Sequence, residues 1–230
     1  MSVVNIKGNI FTTSSQVVVN TINCVGVMGA GIALEFRLRE PEMYCRYVEL
    51  CRHGKFAPGI LWLYKAQTRT VLNFPTKKDW KHPSRPEYLE LGLQKFAKTY
   101  REKEITTIAF PLLGADKGGI SKDISLEIMH RYLEPLPNLT VEIYENDPEA
   151  KDDLYDVIFE RLTQGTLDEL SRSFNISKPI LSKIISALVE GQIFQISQLG
   201  KLPGVGPSTL EKLFSGLQNN VLSQQPSLEL

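Results

Sequence analysis

Two segments, Gln16 to Ile22 (QVVVNTI) and Thr106 to Leu113 (TTIAFPLL), run apolar and β-branched for most of their length, without alternating apolar and polar residues. A strand of that kind leaves no face for water. It must be covered on both sides, which excludes an open sheet with one wet face and predicts a three-layer α/β/α sandwich. The surrounding text fits: further strands are expected at Val3 to Ile6, Gly59 to Tyr64, Val71 to Phe74 and Leu139 to Tyr144, with the first two segments forming strands at Val17 to Asn20 and Ile105 to Phe110. Helical periodicity is expected between them at Ala30 to Arg39, Pro41 to Cys51, Pro86 to Glu102 and Ser121 to Leu133, with Pro86 suited to a first turn and Ser121 to an N-cap.

After Tyr144 the text turns acidic (ENDPEAKDD) and loses its apolar period, which sets a boundary: residues 1–147 form the α/β domain and 152–217 a small all-α one. TLDELSRSFNISKPILSKIISALVEGQIF resembles a helix-turn-helix followed by the start of a wing, with Asn175 near the turn and a second helix from Lys178. A plain three-helix docking bundle is the alternative, because the charge here is balanced. LGKLPGVGPSTLEKLF resembles a helix-hairpin-helix, whose Gly204 and Gly206 turn presents backbone N–H groups to a DNA phosphate; Leu210 stands where that motif usually has a small residue. Residues 218–230 read as a flexible tail.

Charge decides what the chain does not do by bulk attraction. Its 26 Lys plus Arg equal its 26 Asp plus Glu, so any nucleic-acid contact must be local. Three cysteines without a CxxC pair give no disulfide framework and fit a reducing cytosol. No signal-peptide pattern opens the chain and no long apolar run occurs, so the expectation is a cytoplasmic protein without membrane contact. His53, His82 and His130 are scattered, and no metal or other cofactor is expected.

Chemistry concentrates in two Gly-rich loops. Gly26-Val27-Met28-Gly29-Ala30-Gly31-Ile32 follows one apolar strand and opens a helix, where unpaired N–H donors and a partial positive charge favour phosphate. It is neither a Walker A loop nor a G-x-G-x-x-G fingerprint. Leu113-Gly114-Ala115-Asp116-Lys117-Gly118-Gly119 follows another strand and also enters a helix. Two such loops at neighbouring strand ends suit the two halves of a diphosphate.

With KGNIF, VVVNTINCVGVMGAGIALEF and IAFPLLGADKGGI in view, residues 1 to 145 resemble a macrodomain, a fold that binds ADP-ribose. The segment NFPTKKDWKHPSRPEYLELGL is similar to the branch containing the DNA ADP-ribosyl glycohydrolase antitoxins, and more remotely to terminal ADP-ribose protein glycohydrolase. The resemblance implies that ADP-ribose is removed from a modified base, thymidine in the similar antitoxins, in single-stranded DNA. It makes Lys77, after Thr76, the catalytic amine and sets Asn23 facing the scissile bond. A cognate DNA ADP-ribosyltransferase toxin is the implied protein partner, although the antitoxins carry a longer C-terminal part. A non-cleaving ADP-ribose reader and a hydrolase of protein-linked ADP-ribose are the alternatives.

The residues read the same way from chemistry. An amine attacks a sugar carbon only when unprotonated, and lysine's ordinary value of about 10.4 leaves roughly one in a thousand free near pH 7.5. Like charge from Lys78, Lys81 and Arg85, or a dry pocket, would raise that fraction; the sequence leaves open which. The same loop is also a basic strip for a phosphate backbone, with Trp80 and His82 as stacking surfaces or lid packing. Asn20 and Asn23 are expected either to hydrogen-bond the distal ribose or to cap the loop. The resemblance puts Asn9 and Ile10 where adenine is expected, Asn9 standing where macrodomains commonly carry Asp; its amide oxygen accepts without charge assistance. Asp116 reads as a solvated turn residue, with general acid as the other reading.

Overall fold

The computed structural model describes residues 2–66 and 69–223. The chain divides into two compact units, residues 1–147 and 148–230.

In the first unit the β-branched runs become a six-stranded sheet. Its strands are β1 (Ser2–Gly8), β2 (Val17–Ile22), β3 (Trp62–Lys65), β4 (Thr70–Pro75), β5 (Thr107–Pro111) and β6 (Thr140–Asn146), in the order β1-β6-β5-β2-β4-β3. All neighbours are parallel except edge strand β3, which runs antiparallel to β4. Successive side chains of β2 enter opposite cores. Val17 and Val19 join Phe74, Leu93, Phe96 and Phe110 on one face, under α3 (Pro86–Thr99) and α4 (Lys122–Leu133). Val18 and Ile22 join Met28, Phe36, Met43 and Tyr47 on the other, under α1 (Gly31–Arg39) and α2 (Pro41–Arg52). This is the expected three-layer sandwich, and both faces of its central strands are dry.

Local chemistry sets the helix ends. Arg85 is extended (φ −126°) because a proline follows, and Pro86 then occupies the first turn of α3, where its missing N–H costs nothing. Ser121 caps α4 by accepting from the Ile124 N–H. Helix α1 is fixed by a buried pair, Arg39 donating to Glu35 at 2.7 Å, with the same guanidinium 4.0 Å above the Phe11 ring. Several boundaries differ from expectation. Residues 57–61 form a turn around Gly59 (φ +89°), so β3 begins at Trp62. Helix α3 stops at Thr99, because Glu104 turns left-handed (φ +54°) and the Ile105 N–H returns to the Tyr100 carbonyl at 3.0 Å; β5 therefore starts at Thr107. Ala30 is the cap of α1 and lies outside its first turn.

The second unit holds α5 (Tyr155–Gln164), α6 (Leu167–Phe174), α7 (Lys178–Val189) and α8 (Pro207–Ser223). A capping box between Thr166 and Glu169 starts α6, and Asn175, left-handed at φ +51°, ends it and makes the corner between α6 and α7. No wing follows among the described residues. Gly191 turns left-handed (φ +68°), and a Gln195–Gln198 capping box winds Ile196–Lys201 into a 3₁₀ turn instead of a strand. The tail reading also changes: residues 218–223 continue α8, while 224–230 lie outside the described residues.

Candidate active site

Parallel strands β2, β4 and β5 end at one edge of the sheet, and the loops that leave them carry the residues singled out above. The loop after β2 is organised by Asn23. Its Oδ1 accepts from the N–H groups of Val25 (3.0 Å) and Val27 (3.3 Å) and from the Tyr47 hydroxyl (3.0 Å), while Nδ2 donates to the Val27 carbonyl. Loop capping is therefore what Asn23 does in the unliganded protein. Gly26, at φ +83°, makes the reversal this clamp requires. Met28 is buried and anchors the loop in the core, whereas Gly29, Ala30 and Gly31 are exposed at the start of α1. Ala30 supplies no capping side chain and the first turn holds no acid, so the leading N–H groups of α1 remain available to an anion.

The loop after β4 is tied onto the exit of β2. The Thr76 N–H donates to the Ile22 carbonyl (2.9 Å), the Cys24 N–H to the Lys78 carbonyl (3.1 Å) and the Cys24 thiol to the Lys77 carbonyl (3.3 Å). These bonds prolong the β2–β4 ladder and set Lys77 opposite the first Gly loop. Its Nζ donates to the Lys117 carbonyl at 2.6 Å, in the second Gly loop. A second bond joins the same two loops, from the Ser84 N–H to the Gly118 carbonyl at 2.8 Å. Gly114 and Gly119 are left-handed (φ +67° and +81°), as is Asp116 at +45°, which fits its reading as an exposed turn residue. The side chain of Lys117 lies over Gly31, 4.0 Å from where a Cβ would stand, so the two Gly loops face one another across it. Lys77, Asn23, Gly26 to Ile32 and Leu113 to Gly119 thus converge, with Leu113 itself buried in the core beneath.

Three residues are placed differently from expectation. Asn20 is 0% exposed: its Nδ2 donates to Asn73 Oδ1 on β4 at 2.9 Å, and Met28 lies above it. It faces the core of the α1/α2 layer, because residue 20 shares the parity of Val18 and Ile22, and it is closed to a ribose in this state. Asn9 is buried and its Oδ1 already accepts from the Phe11 N–H (2.9 Å), capping the 3₁₀ turn Ile10–Thr12. Ile10 is a core residue.

The basic strip is present. Lys78, Trp80 (52% exposed), Lys81, His82 and Arg85 all reach solvent from the β4–α3 loop, with the Lys81 ammonium 5.7 Å from the Trp80 ring. Sequence reasoning missed Tyr88, whose ring lies 5.8 Å from Lys78 Nζ and 5.9 Å from Arg85 Cζ; its spacing of three from Arg85 in the first turn of α3 was the available signal. It also missed Cys24 and Tyr47. Burial first, then the neighbouring Cys51, pushes the Cys24 thiol up to about 11, against the lowering effect of Lys78. Burial likewise pushes the Tyr47 hydroxyl well above its ordinary value, so it stays a donor.

In the second unit, Gly204 is exposed and left-handed (φ +87°), and Lys183 of α7 donates to the Pro203 carbonyl at 2.6 Å. Gly206 stands before Pro207 at the start of α8, and nothing would obstruct a Cβ there. Among the described residues no group of three His, Cys, Asp or Glu is placed to hold a metal ion, and no helix is long and apolar enough to cross a membrane.

Comparison with known proteins gives this arrangement a context. The family model described as "Macro domain" matches residues 19–129. A protein of Thermus aquaticus named "DNA ADP-ribosyl glycohydrolase" is 40% identical over 144 residues, which make up 61% of this chain and 40% of that protein. Among solved structures, "Macrodomain of Thermus aquaticus DarG" matches with TM-score 0.59 and 38% identity, over 63% of this chain and 98% of that one. "Thermosipho africanus DarTG in complex with ADP-ribose" matches with TM-score 0.58 and 30% identity, over 65% of this chain and 42% of that one. The chain spans 40% of the length of the curated DNA ADP-ribosyl glycohydrolases it matches.

Proposed function

Since the chain belongs to the macrodomain family, we propose that it is an ADP-ribosyl glycohydrolase that releases ADP-ribose from a modified base, thymidine first among them, in single-stranded DNA. One observation carries this reading: the Lys77 amine is held 2.6 Å from the Lys117 carbonyl, at the junction of two Gly loops suited to a diphosphate. A protein that only bound ADP-ribose has no need of an amine there. The name and identity of the Thermus relative support the substrate class.

The diphosphate lies between the free N–H groups of α1 and those of the second Gly loop, and adenine lies toward the Asn9 turn. As the glycosidic bond breaks, Lys77 Nζ bonds to the anomeric carbon and the base leaves with a proton. Ring opening turns the resulting glycosylamine into an iminium. Water then adds to that carbon and returns the amine and free ADP-ribose. Lys78, Lys81 and Arg85 hold the strand's phosphates and Trp80 stacks on an unpaired base. The hairpin at Gly204 and Gly206, with the Lys183 charge beside it, adds a further phosphate contact. A cognate DNA ADP-ribosyltransferase is the proposed partner, supported by a Thermosipho relative named a fusion of transferase and glycohydrolase, and the cytoplasm is the proposed compartment.

The test is incubation with thymidine-modified single-stranded oligonucleotide. Wild type releases ADP-ribose, and Lys77→Ala loses turnover by about a thousandfold or more. Borohydride added during turnover leaves a mass adduct on Lys77. Full activity in Lys77→Ala, with no adduct in wild type, removes the mechanism. Release from modified protein but not from modified DNA removes the substrate class.

A further inference from the structure

We infer that Tyr47 is a positioning residue, whose buried hydroxyl fixes the Asn23 carboxamide so that one Nδ2 N–H is what Asn23 offers to a bound sugar. The inference rests on the proposed reading of the site for its chemistry, but not for its geometry.

Tyr47 lies on α2, in the layer behind the first Gly loop, and is 0% exposed. Its ring is wedged between Tyr44 and Phe56, with centroids 6.4 and 5.6 Å away. The hydroxyl stands 2.9 Å from the Asn23 carbonyl and 3.0 Å from its Oδ1.

An asparagine amide is nearly symmetric in shape, and only its partners decide which end is oxygen. Here Tyr47 Oη and the N–H groups of Val25 and Val27 all approach one end. A flip would set the NH₂ group against the two backbone N–H donors and take from the phenol's one proton, shared between the Asn23 carbonyl and Oδ1, one of its two acceptors. Of the two Nδ2 protons, one is spent on the Val27 carbonyl. The other belongs to a side chain still 7% exposed, so Asn23 meets a ligand as a donor, toward a ribose hydroxyl oxygen or ring oxygen. Phenylalanine at position 47 would keep the packing and lose the orientation.

The experiment is a double-mutant cycle of Tyr47→Phe and Asn23→Ala, read by calorimetric ADP-ribose affinity and by turnover of the modified oligonucleotide. Tyr47→Phe is expected to weaken ADP-ribose binding about threefold and slow turnover about tenfold, with only a small further loss when added to Asn23→Ala, from the bond to the main-chain carbonyl of residue 23. In ¹⁵N spectra the Asn23 side-chain NH₂ signal should move or split in Tyr47→Phe, while the sheet amides keep their positions. Asn23→Asp supplies a second check, because a carboxylate satisfies the three donors but has no N–H; its turnover should fall to the Asn23→Ala level. Additive losses in the cycle, an unmoved NH₂ signal or an active Asn23→Asp each overturn the inference. A wild type that binds ADP-ribose without cleaving the oligonucleotide would fell the proposed activity instead, and the affinity cycle and spectra would still decide the role of Tyr47.

Discussion

Cys24 lies half-buried with its thiol on the Lys77 carbonyl, and its surroundings favour the neutral form. A thiol held near 11 is roughly one part in a thousand thiolate at pH 8, and the thiolate is the form that reacts. Burial pushes Cys51 up as well, whereas Cys45 is exposed. Iodoacetamide at pH 8 should therefore alkylate Cys45 well before Cys51 and Cys24, by peptide mass analysis, with the difference erased in guanidinium; equal rates in the native protein would contradict this. Cys24 and Tyr47 also make the fold's stability depend on alkaline pH. An acid whose folded value is raised adds stability below its unfolded value and loses it as pH climbs through the folded one. For Cys24 that window opens near the ordinary 9.0 and closes near 11, and for Tyr47 it opens near 10.0.

Among the described glycines, Gly92 in α3 leaves a Cβ the least room. A Cβ on Gly92 would lie 2.1 Å from Phe74 Cζ, inside the core between helix and β4. Gly92→Ala therefore forces apart a pair of elements that also sets the β4–α3 loop, and a destabilisation of about 2 to 4 kcal/mol is expected in urea unfolding. No destabilisation at all would mean that Phe74 can step aside freely. Contrasts of this kind also show what the sequence could reveal. Sheet, layers and Gly loops were legible because their signals are local: apolar runs, capping serine, proline before a helix, glycines after a strand. Tyr47 and Ser84 were not, since each reaches the site by tertiary packing, one from α2 and one by folding its N–H onto Gly118. Asn20 was misjudged by parity, two strands pairing in register to turn it and Asn73 inward. The expected start of a wing gave way to a 3₁₀ turn because Gln195 and Gln198, just past the segment that resembles it, cap one another.

On the scale of the whole molecule, the proposed chemistry resides in residues 1–147 and the hairpin in 148–230. Both lysines of α7 have internal partners: Lys178 pairs with Asp168, and Lys183 binds the Pro203 carbonyl. Only Lys178 is paired with an acid; Lys183 keeps its charge beside the Gly204 turn. Truncation after Asp147 should leave ADP-ribose affinity within about twofold. It should also make the slope of log K against log salt for single-stranded DNA shallower, by about 0.7 for each phosphate the second unit had neutralised. An unchanged slope would remove DNA delivery from the second unit. The ladder bonds from Ile22 and Cys24 to Thr76 and Lys78 have a last consequence. They moor the Lys77 end of the β4–α3 loop to the sheet, Ser84 pins the other end to Gly118, and the exposed stretch between, from Asp79 to Pro83, is left as a separately editable cassette. A designer, or natural drift, can rewrite what that stretch reads in a nucleic acid while the amine stays at its station.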